Sequence, residues 1–279
     1  MINIEDYQKV VQDYRDAKTR LILLDYDGTL VPFDMHPDLT RPSVSARSLL
    51  QKMAADSSNT VILISGRDRE NLEKYWGDLA IVLAAEHGAF FKHPQDQWEN
   101  LFPYVNTSWL SKAESCLRAL SFHYEGSFVE RKSFSVAWHY RSIAQRIDQD
   151  KRQILAAIRA LPFQQDFTML DSEHTLELRA LGVNKGSAIA RWVSHQQYDF
   201  VMAIGDSQTD EDIFELFDQN EYTIKVGNPS ETHAHFYLKS QEQVLPFLHH
   251  LTGIKWSGSS EKFKPNELAK TQSNINSHT

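Results

Sequence analysis

Three short apolar runs of the sequence are each followed by polar residues of the kinds used in phosphate chemistry. They are 21–24, followed by Asp25 and Asp27; 61–64, followed by Ser65; and 201–204, followed after a glycine by Asp206. If the runs are parallel strands, their carboxyl ends meet at one edge of a sheet, which is where ligands bind in such folds. We therefore expect two or three carboxylates and a hydroxyl to converge there.

Carboxylates that converge in this way repel one another and raise each other's pKa. A divalent cation removes that conflict. Mg²⁺ suits such a site because it binds through one or two carboxylates together with a substrate phosphate oxygen. The twelve histidines are scattered and Cys116 is the single cysteine, so the usual zinc ligand spacings are missing. The sequence therefore predicts Mg²⁺ as the cofactor.

The residues around the first run suit phosphoryl transfer. Asp25, nearest the strand end, is a candidate nucleophile that would form an aspartyl phosphate. Asp27, two residues further on, is a candidate general acid for the leaving oxygen and then a base for the attacking water. Gly28 would let the backbone approach a phosphate. Thr29 and Ser65 would donate hydrogen bonds to its oxygens.

A fourth motif supplies a positive charge. Lys185 stands before Gly186 at the head of a predicted helix, whose N-terminus also favours an anion. Each motif has an ordinary explanation by itself: Asp-Gly between apolar residues also predicts a hairpin turn, and Asp206 would serve equally as a loop residue or a helix cap. All four in this order, each next to a predicted buried strand, favour the phosphate site.

The elements that must position these residues alternate between helix and strand. The predicted order is helix 3–18, strand 21–24, helix 42–55, strand 61–64, helix 68–76 and strand 81–85, and later helix 185–195, strand 200–204, helix 210–217 and strand 222–226. Alternation at this spacing predicts an α/β fold, a parallel sheet with covering helices.

The middle of the chain has a different pattern. Residues 127–140 alternate with a period of two and contain several aromatic residues, which predicts antiparallel strands with one or two exposed faces. A helix over 150–161 and strands over 167–170 and 175–178 complete an α+β unit. We therefore predict a core over 1–103 and 182–256, an inserted unit over 104–181, and a disordered tail over the polar residues 257–279.

Composition restricts the function further. The chain has 279 residues, of which 41% are hydrophobic and 24% charged, with a net charge of −8. An acidic chain has no overall electrostatic reason to bind nucleic acid or an anionic membrane. Its apolar runs are far shorter than the ~18 residues of a membrane helix, and its N-terminus lacks the pattern of a secretory signal. One cysteine suits a reducing compartment, so we expect a cytoplasmic protein.

Together these motifs resemble the haloacid dehalogenase superfamily of Mg²⁺-dependent phosphatases and, within it, the trehalose-6-phosphate phosphatases. The segments that carry the resemblance are LLDYDGTL (23–30), ISGR (64–67), AEHGA (85–89), SFVE-x-K…WHYR (127–141), LE-x-R…GVNKG (176–186) and GD-x-x-TDEDIF (205–214). They span roughly residues 20–217 and include the middle unit, where members of the superfamily differ most.

The resemblance implies a Rossmann-like core with an inserted α+β cap. It implies Asp25 as nucleophile, Asp27 as acid and base, and Lys185 on the phosphoryl group. The metal ligands would be Asp25, Asp206 and the backbone carbonyl of Asp27, with Asp210 beside them, holding Lys185 or a water on the metal. The substrate would be bound by Thr29, Ser65, Gly66 and Arg67 from the core and by Glu130, Lys132, Arg141 and Glu177 from the cap.

The four cap residues suit a polyhydroxylated ligand, because glutamates accept from hydroxyl groups while lysine and arginine donate. Composition alone would instead predict a solvated strand face. His87, His139 and Tyr140 also lie in the matching motifs, although His87 and Tyr140 would equally serve in core or hinge packing. Two positions depart from the family: Ser207 replaces its usual second aspartate, and Ala180 stands where it often has proline.

The predicted function is hydrolysis of trehalose 6-phosphate to trehalose and phosphate (EC 3.1.3.12). The expected ligand is a small sugar phosphate, the expected state is a monomer, and the resemblance also admits a trehalose-6-phosphate synthase as partner. The alternatives are a phosphatase for another disaccharide or glycosyl-glycerol phosphate, a non-catalytic phosphatase-like subunit of a synthase complex, and a phosphomutase.

Overall fold

The computed structural model describes residues 4–32, 41–172, 174–255 and 268–270, with side chains for all but 4–6 and 268–270. The chain divides into a core unit, 1–101 with 184–279, and an inserted unit, 102–183. Among the described residues, no helix combines the length and apolar content that crossing a bilayer requires.

The helices and strands of the core unit alternate through most of its length. Its helices are α1 (Ile4–Asp16), α2 (Val44–Ala54), α3 (Arg69–Trp76), α6 (Lys185–Val193), α7 (Gln208–Phe214) and α8 (Val244–Thr252). Its strands are β1 (Arg20–Asp25), β2 (Asn59–Ile64), β3 (Val82–Ala85), β4 (Phe90–Lys92), β5 (Glu99–Asn100), β10 (Phe200–Gly205), β11 (Tyr222–Val226), β12 (Phe236–Leu238) and β13 (Leu268–Lys270).

These strands form one sheet in the order β13-β12-β11-β10-β1-β2-β3-β4-β5. The six strands from β12 to β3 are mutually parallel, and β13, β4 and β5 are antiparallel to their neighbours. All six residues of β1 are buried, as expected for a central strand covered on both faces. The predicted α/β fold with a parallel sheet is confirmed.

The register places the carboxyl ends of the central strands level with one another. Leu24 of β1 pairs with Ile204 of β10, and Asp25 pairs with Ile64 of β2. Gly205 of β10 pairs in turn with Lys225 of β11. The residues that follow β1, β2 and β10 therefore emerge at the same edge of the sheet.

The elements of the inserted unit are α4 (Leu110–His123), β6 (Phe128–Arg131), β7 (Ser135–His139), α5 (Ala144–Arg159), β8 (Phe167–Ser172) and β9 (Thr175–Ala180). Its strands form a separate antiparallel sheet in the order β6-β7-β9-β8. Helix α4 packs against β6 and β7. On one face of the sheet Glu130, Ala137 and Glu177 lie side by side, because Ala137 pairs with both glutamates.

Several predictions about individual elements were wrong or incomplete. Strand β7 is buried on both faces: Val136 and Trp138 lie on one face and Ser135 and Ala137 on the other, and all four are buried. Helix α5 begins at Ala144, six residues before the predicted start. Helices α4 and α8 and strands β4, β5, β12 and β13 were not predicted.

The predicted disordered tail, 257–279, lies outside the described residues except at 268–270. There the structure has strand β13, which pairs with β12. The physical reason is that β12 would otherwise present a row of unpaired backbone groups, which favours addition of a strand.

Candidate active site

Three carboxylates meet where β1 and β10 end. Asp25 is the last residue of β1, and Asp206 directly follows β10. Each of Asp25, Asp206 and Asp210 offers one carboxylate oxygen, and these three oxygens all lie within 4.8 Å of one another. Residues 25 and 206 thus converge as predicted, through the register of β1 with β10.

Lys185 connects two of these carboxylates. Its Nζ donates to Asp25 Oδ1 and to Asp210 Oδ1, both at 2.7 Å, and Lys185 is 1% exposed. It is the first residue of α6, whose N-cap Asn184 accepts from the backbone N–H of Ser187 at 2.6 Å. This cap fixes the start of the helix and so directs Lys185 into the site.

Gly186 allows α6 to approach α7 closely. A Cβ built at Gly186 would lie 2.0 Å from the backbone oxygen of Asp212 in α7. The two helices therefore pack at a distance that brings Lys185 to Asp210.

Asp210 is held by the start of its own helix. Its Oδ2 accepts from the backbone N–H of Ser207 at 2.9 Å and from the Ser207 hydroxyl at 2.7 Å. Because its Oδ1 accepts from Lys185, both oxygens of Asp210 are already engaged. Ser207 thus serves to orient Asp210.

Burial and neighbouring charges act in opposite directions on these groups. Burial, together with the carboxylates of Asp210 and Asp206, raises the pKa of Asp25 well above its ordinary value, although Lys185 opposes this. Burial and Asp210 raise the pKa of Asp206 to about 6. Burial disfavours ionisation of Asp210 too, but Lys185 and the Ser207 donors outweigh it and lower the pKa of Asp210.

The pair Asp25 and Asp206 fits a divalent cation. Asp206 Oδ1 is buried and accepts no hydrogen bond from the part of the chain that the structure describes. A buried carboxylate oxygen without a donor is costly, and a cation beside it would remove that cost. Within the described residues, the side chains grouped at this edge as potential metal ligands are all carboxylates, a donor set that suits Mg²⁺.

The residues expected to contact phosphate lie on the loops after β1 and β2. Thr29 is fully buried, and its Oγ1 has no hydrogen-bond partner among the described atoms. Ser65 is 2% exposed, and its Oγ accepts from the backbone N–H of Arg67 at 3.1 Å. A Cβ built at Gly66 would lie 2.7 Å from His87 Cε1, so His87 covers this loop closely.

The guanidinium group of Arg67 binds the side chain of Asp27. Its Nε donates to Asp27 Oδ2 at 2.7 Å, and its Nη2 donates to Asp27 Oδ1 at 2.6 Å. The candidate acid and base therefore has an arginine partner, which sequence spacing did not indicate.

The inserted unit brings three of its four predicted residues together. Lys132 Nζ lies 3.6 Å from Glu130 Oε2 and 3.9 Å from Glu177 Oε1. His139 Nε2 lies 2.9 Å from Glu130 Oε2, and Ser135 Oγ donates to Glu177 Oε1 at 2.5 Å. Arg141 belongs to a different element, the short 3-10 helix Arg141–Ile143 after β7.

Burial raises the pKa of Glu130, but the hydrogen bond with His139 and the charge of Lys132 outweigh it and lower the pKa below its ordinary value. This part of the inserted unit therefore presents an ionised glutamate, Glu130, beside the lysine donor Lys132.

Sequence reasoning missed Lys225. Its Nζ donates to the Ser207 backbone oxygen at 3.3 Å and to Glu211 Oε1 at 3.1 Å, and its charge partly opposes the rise in the pKa of Asp206 that burial and Asp210 cause. The available signal was its place at the end of a predicted strand, level with Gly205.

His87 has a more definite place than the sequence indicated. Glu86, His87 and Gly88 all have left-handed backbone conformations, with φ of 50°, 59° and 86°. The backbone N–H of His87 donates to the Ser65 oxygen at 2.8 Å, and that of Glu86 donates to the Arg67 oxygen at 2.8 Å. This turn therefore supports the loop that follows β2.

Comparison with known proteins gives a family model named for trehalose-phosphatase and relatives whose names include trehalose-phosphatase and trehalose-6-phosphate synthase/phosphatase. The trehalose-phosphatase family model matches residues 23–242. The bifunctional trehalose-6-phosphate synthase/phosphatase of Thermoproteus tenax is 37% identical over 229 residues, covering 82% of this chain and 31% of its own. The trehalose-phosphatase of Saccharomyces cerevisiae is 33% identical over 288 residues, covering 88% of this chain and 32% of its own.

Solved structures agree. The C-terminal domain of Candida albicans trehalose-6-phosphate phosphatase has a TM-score of 0.83 at 28% identity, covering 90% of this chain and 97% of that one. A haloacid dehalogenase-like hydrolase from B. subtilis shares the fold, with a TM-score of 0.58 at 14% identity, covering 84% of this chain and 99% of that one.

The chain spans about a third of the length of the curated relatives it matches. By the extent of the family match and by these identities, the chain belongs to the trehalose-phosphatase family.

Proposed function

We propose that this protein hydrolyses trehalose 6-phosphate to trehalose and phosphate through a phospho-Asp25 intermediate, with Mg²⁺ as cofactor. The observation that carries the proposal is the buried contact of Asp25 with Lys185 at 2.7 Å, beside Asp206 at the end of β1. Family membership and the names of the relatives support the substrate.

In the first step a carboxylate oxygen of Asp25 attacks the phosphorus. The bond from phosphorus to the sugar oxygen breaks, and Asp27 gives its proton to that oxygen, which leaves as the sugar hydroxyl. Lys185 favours the ionised form of Asp25 and offsets negative charge on the transferring group.

In the second step a water molecule attacks the phosphorus of the aspartyl phosphate. Asp27 accepts the proton of that water, the bond from phosphorus to Asp25 breaks, and inorganic phosphate leaves. Asp25 is regenerated as a carboxylate.

A divalent cation held by Asp25, Asp206 and the backbone carbonyl of Asp27 would neutralise charge on the phosphate and on the two carboxylates. Asp210 would take part through Lys185 and Ser207, which occupy both its oxygens. Thr29 and Ser65 would donate to phosphate oxygens. The support for Thr29 is its buried hydroxyl, for which the described chain offers no partner.

We assign catalysis to the core, 1–103 and 182–256, and sugar recognition to the segment 104–181. Glu130 and Glu177 would accept from sugar hydroxyls, and Lys132 and Arg141 would donate to them. His139 and Ser135 hold the two glutamates, so the acceptors keep their orientation before a ligand arrives.

Two further parts of the proposal concern the setting of the protein. The name of the T. tenax relative, which combines synthase and phosphatase, supports a trehalose-6-phosphate synthase as partner. The single cysteine, Cys116, supports the reducing cytoplasm as the location.

The test is release of phosphate by the purified protein, with and without Mg²⁺, from trehalose 6-phosphate, sucrose 6-phosphate and glucose 6-phosphate. We expect Mg²⁺-dependent release that is fastest from trehalose 6-phosphate. Asp25→Asn should lower it by a factor on the order of 10³ or more while the circular dichroism spectrum is retained. Binding without turnover would favour the non-catalytic subunit, and an isomerised sugar phosphate would favour the phosphomutase.

A further inference from the structure

Arg67 and Asp27 form a two-pronged ion pair next to the candidate nucleophile. Two different guanidinium nitrogens, Nε and Nη2, donate to the two different carboxylate oxygens at 2.7 and 2.6 Å. The side chain of Arg67 is 6% exposed and that of Asp27 is 24% exposed. A planar fork of this kind fixes the orientation of a carboxylate as well as its distance.

Other residues fix the position of Arg67 independently of Asp27. Its Nη1 donates to Asn71 Oδ1 at 2.8 Å, and its guanidinium carbon lies 4.6 Å from the centre of the fully buried Tyr26 ring. Its backbone oxygen accepts from the Glu86 N–H at 2.8 Å, within the left-handed turn described above. These contacts hold Arg67 in place without any contribution from Asp27.

This arrangement disagrees with the expectation that Arg67 binds the substrate. Nε and Nη2, the two nitrogens that would donate to a phosphate, donate to Asp27 instead, and Nη1 donates to Asn71. Each oxygen of Asp27 nevertheless keeps a second lone pair, so the carboxylate can exchange a proton with a reacting oxygen while the arginine remains in place.

We propose that Arg67 is a positioning residue for Asp27: it holds the acid and base in line with the leaving oxygen and is not a phosphate ligand. The inference rests on the proposed function, because it assumes that Asp27 transfers the proton. If Arg67 did not hold it, the Asp27 carboxylate would rotate and would less often be oriented for proton transfer. The rate of the proton-transfer step would therefore fall.

The decisive substitution is Arg67→Lys, which keeps the positive charge and removes the fork. The quantity to compare is kcat/KM for trehalose 6-phosphate, phenyl phosphate and p-nitrophenyl phosphate, whose leaving groups become progressively less basic. We expect kcat/KM to fall by about 10- to 100-fold for trehalose 6-phosphate, less for phenyl phosphate, and less than about 3-fold for p-nitrophenyl phosphate, because a good leaving group needs little protonation. The inhibition constant of inorganic phosphate should stay within about 2-fold, since a positioning residue does not contact the phosphate.

A double-mutant cycle tests the same point with one substrate. In the Asp27→Asn background, Arg67→Lys should change kcat/KM for trehalose 6-phosphate by less than about 2-fold, because the group it positions has already lost its function.

The matched control is Arg47→Lys, since Arg47 also donates to both oxygens of an aspartate, Asp78, at 2.8 and 2.6 Å, and lies on α2 rather than on the loop after β2. We expect the activity of this variant to be unchanged. Thermal unfolding of Arg67→Lys is recorded so that a loss of fold is recognised.

Three results would overturn the proposal: an equal loss of kcat/KM for all three substrates, a weaker affinity for inorganic phosphate in Arg67→Lys, or full additivity with Asp27→Asn. The first two are what a phosphate ligand would produce. Failure of the proposed function is a separate result, recognised by a wild-type protein that releases no phosphate from any of the substrates, and it would remove the basis of this inference as well.

Discussion

The carboxylate of Asp206 lies directly against the α-carbon of Gly28. A Cβ built at Gly28 would lie 2.1 Å from Asp206 Oδ2 and 2.4 Å from its carboxyl carbon. The sequence suggested that this glycine makes room for a phosphate. In the structure it makes room for a candidate metal ligand, and with a φ of 79° it also has a conformation that other residues adopt at a cost.

Gly28→Ala should therefore abolish Mg²⁺-dependent turnover, because the methyl group displaces Asp206, and should cost about 1–3 kcal/mol of stability from the left-handed backbone. Turnover assays and urea unfolding check the two parts. The control is Gly182→Ala, where φ is 80° but a Cβ would have no neighbour within 4 Å. Equal losses of activity in both variants would show that strain alone is responsible.

Removal of Lys185 should destabilise the core unit strongly. Without its ammonium group, the buried carboxylates of Asp25 and Asp210 lose their common partner. Breaking a buried ion pair typically costs about 3–5 kcal/mol, so we expect a loss of that size for Lys185→Ala in urea unfolding with a metal chelator present.

The control for Lys185→Ala is Arg118→Ala, which removes an exposed pair with Glu114. An exposed pair contributes less than about 1 kcal/mol. A similar small effect for both variants would contradict the importance of the buried network.

Stabilisation by Mg²⁺ should depend on pH. The pKa of Asp206 is raised to about 6, so this group binds more protons in the folded than in the unfolded chain. It therefore stabilises the metal-free fold at low pH, and this contribution is lost as the pH rises through about 6. Mg²⁺ needs the ionised carboxylates and competes with those protons.

We accordingly expect Mg²⁺ to raise the Tm much more well above pH 6 than well below it, as measured by thermal unfolding with Mg²⁺ or with a chelator. Asp206→Asn, which cannot ionise, should lose most of this difference. An equal Mg²⁺ effect at both pH values in the wild type would place the ion elsewhere.

The proposed recognition of the sugar by the inserted unit is tested with Glu177→Gln. The amide has a similar shape but no charge, and hydrogen bonds to charged groups contribute about 1.5–3 kcal/mol, so kcat/KM for trehalose 6-phosphate should fall by about 10- to 100-fold. Hydrolysis of p-nitrophenyl phosphate, which has no sugar, should be nearly unchanged. Glu125→Gln, at an exposed position of the same unit, is the control. A loss for both substrates would assign Glu177 a role in folding instead.

The strand-end residues were predictable because a simple periodic signal determines where they are. Four apolar runs bounded by polar residues gave β1, β2, β3 and β10, and the parallel order then required residues 25, 65 and 206 to share an edge. The motifs predicted Lys185 on the phosphoryl group but not its contact with Asp25, which joins residues 160 positions apart in the chain.

The direction of individual side chains was not predictable in the same way. Spacing placed Asp27 and Arg67 on neighbouring loops, but their two-pronged contact depends on Asn71, Tyr26 and the turn at Glu86. Helix α4 was missed because its buried positions include the small Ala113 between Leu110 and Leu117, which weakens the apolar period. The strands β4 and β5 are too short, at three and two residues, to give a periodic signal.

The place of β1 in the sheet has a consequence for how the protein loses activity. Its amides and carbonyls are bonded to β10 on one side and β2 on the other, and every one of its side chains is buried. Such a strand exchanges its amide hydrogens with solvent only when the whole domain opens. Asp25, the proposed nucleophile, is the last residue of this strand, so heat or denaturant should abolish turnover in the same cooperative transition that unfolds the sheet of the core unit.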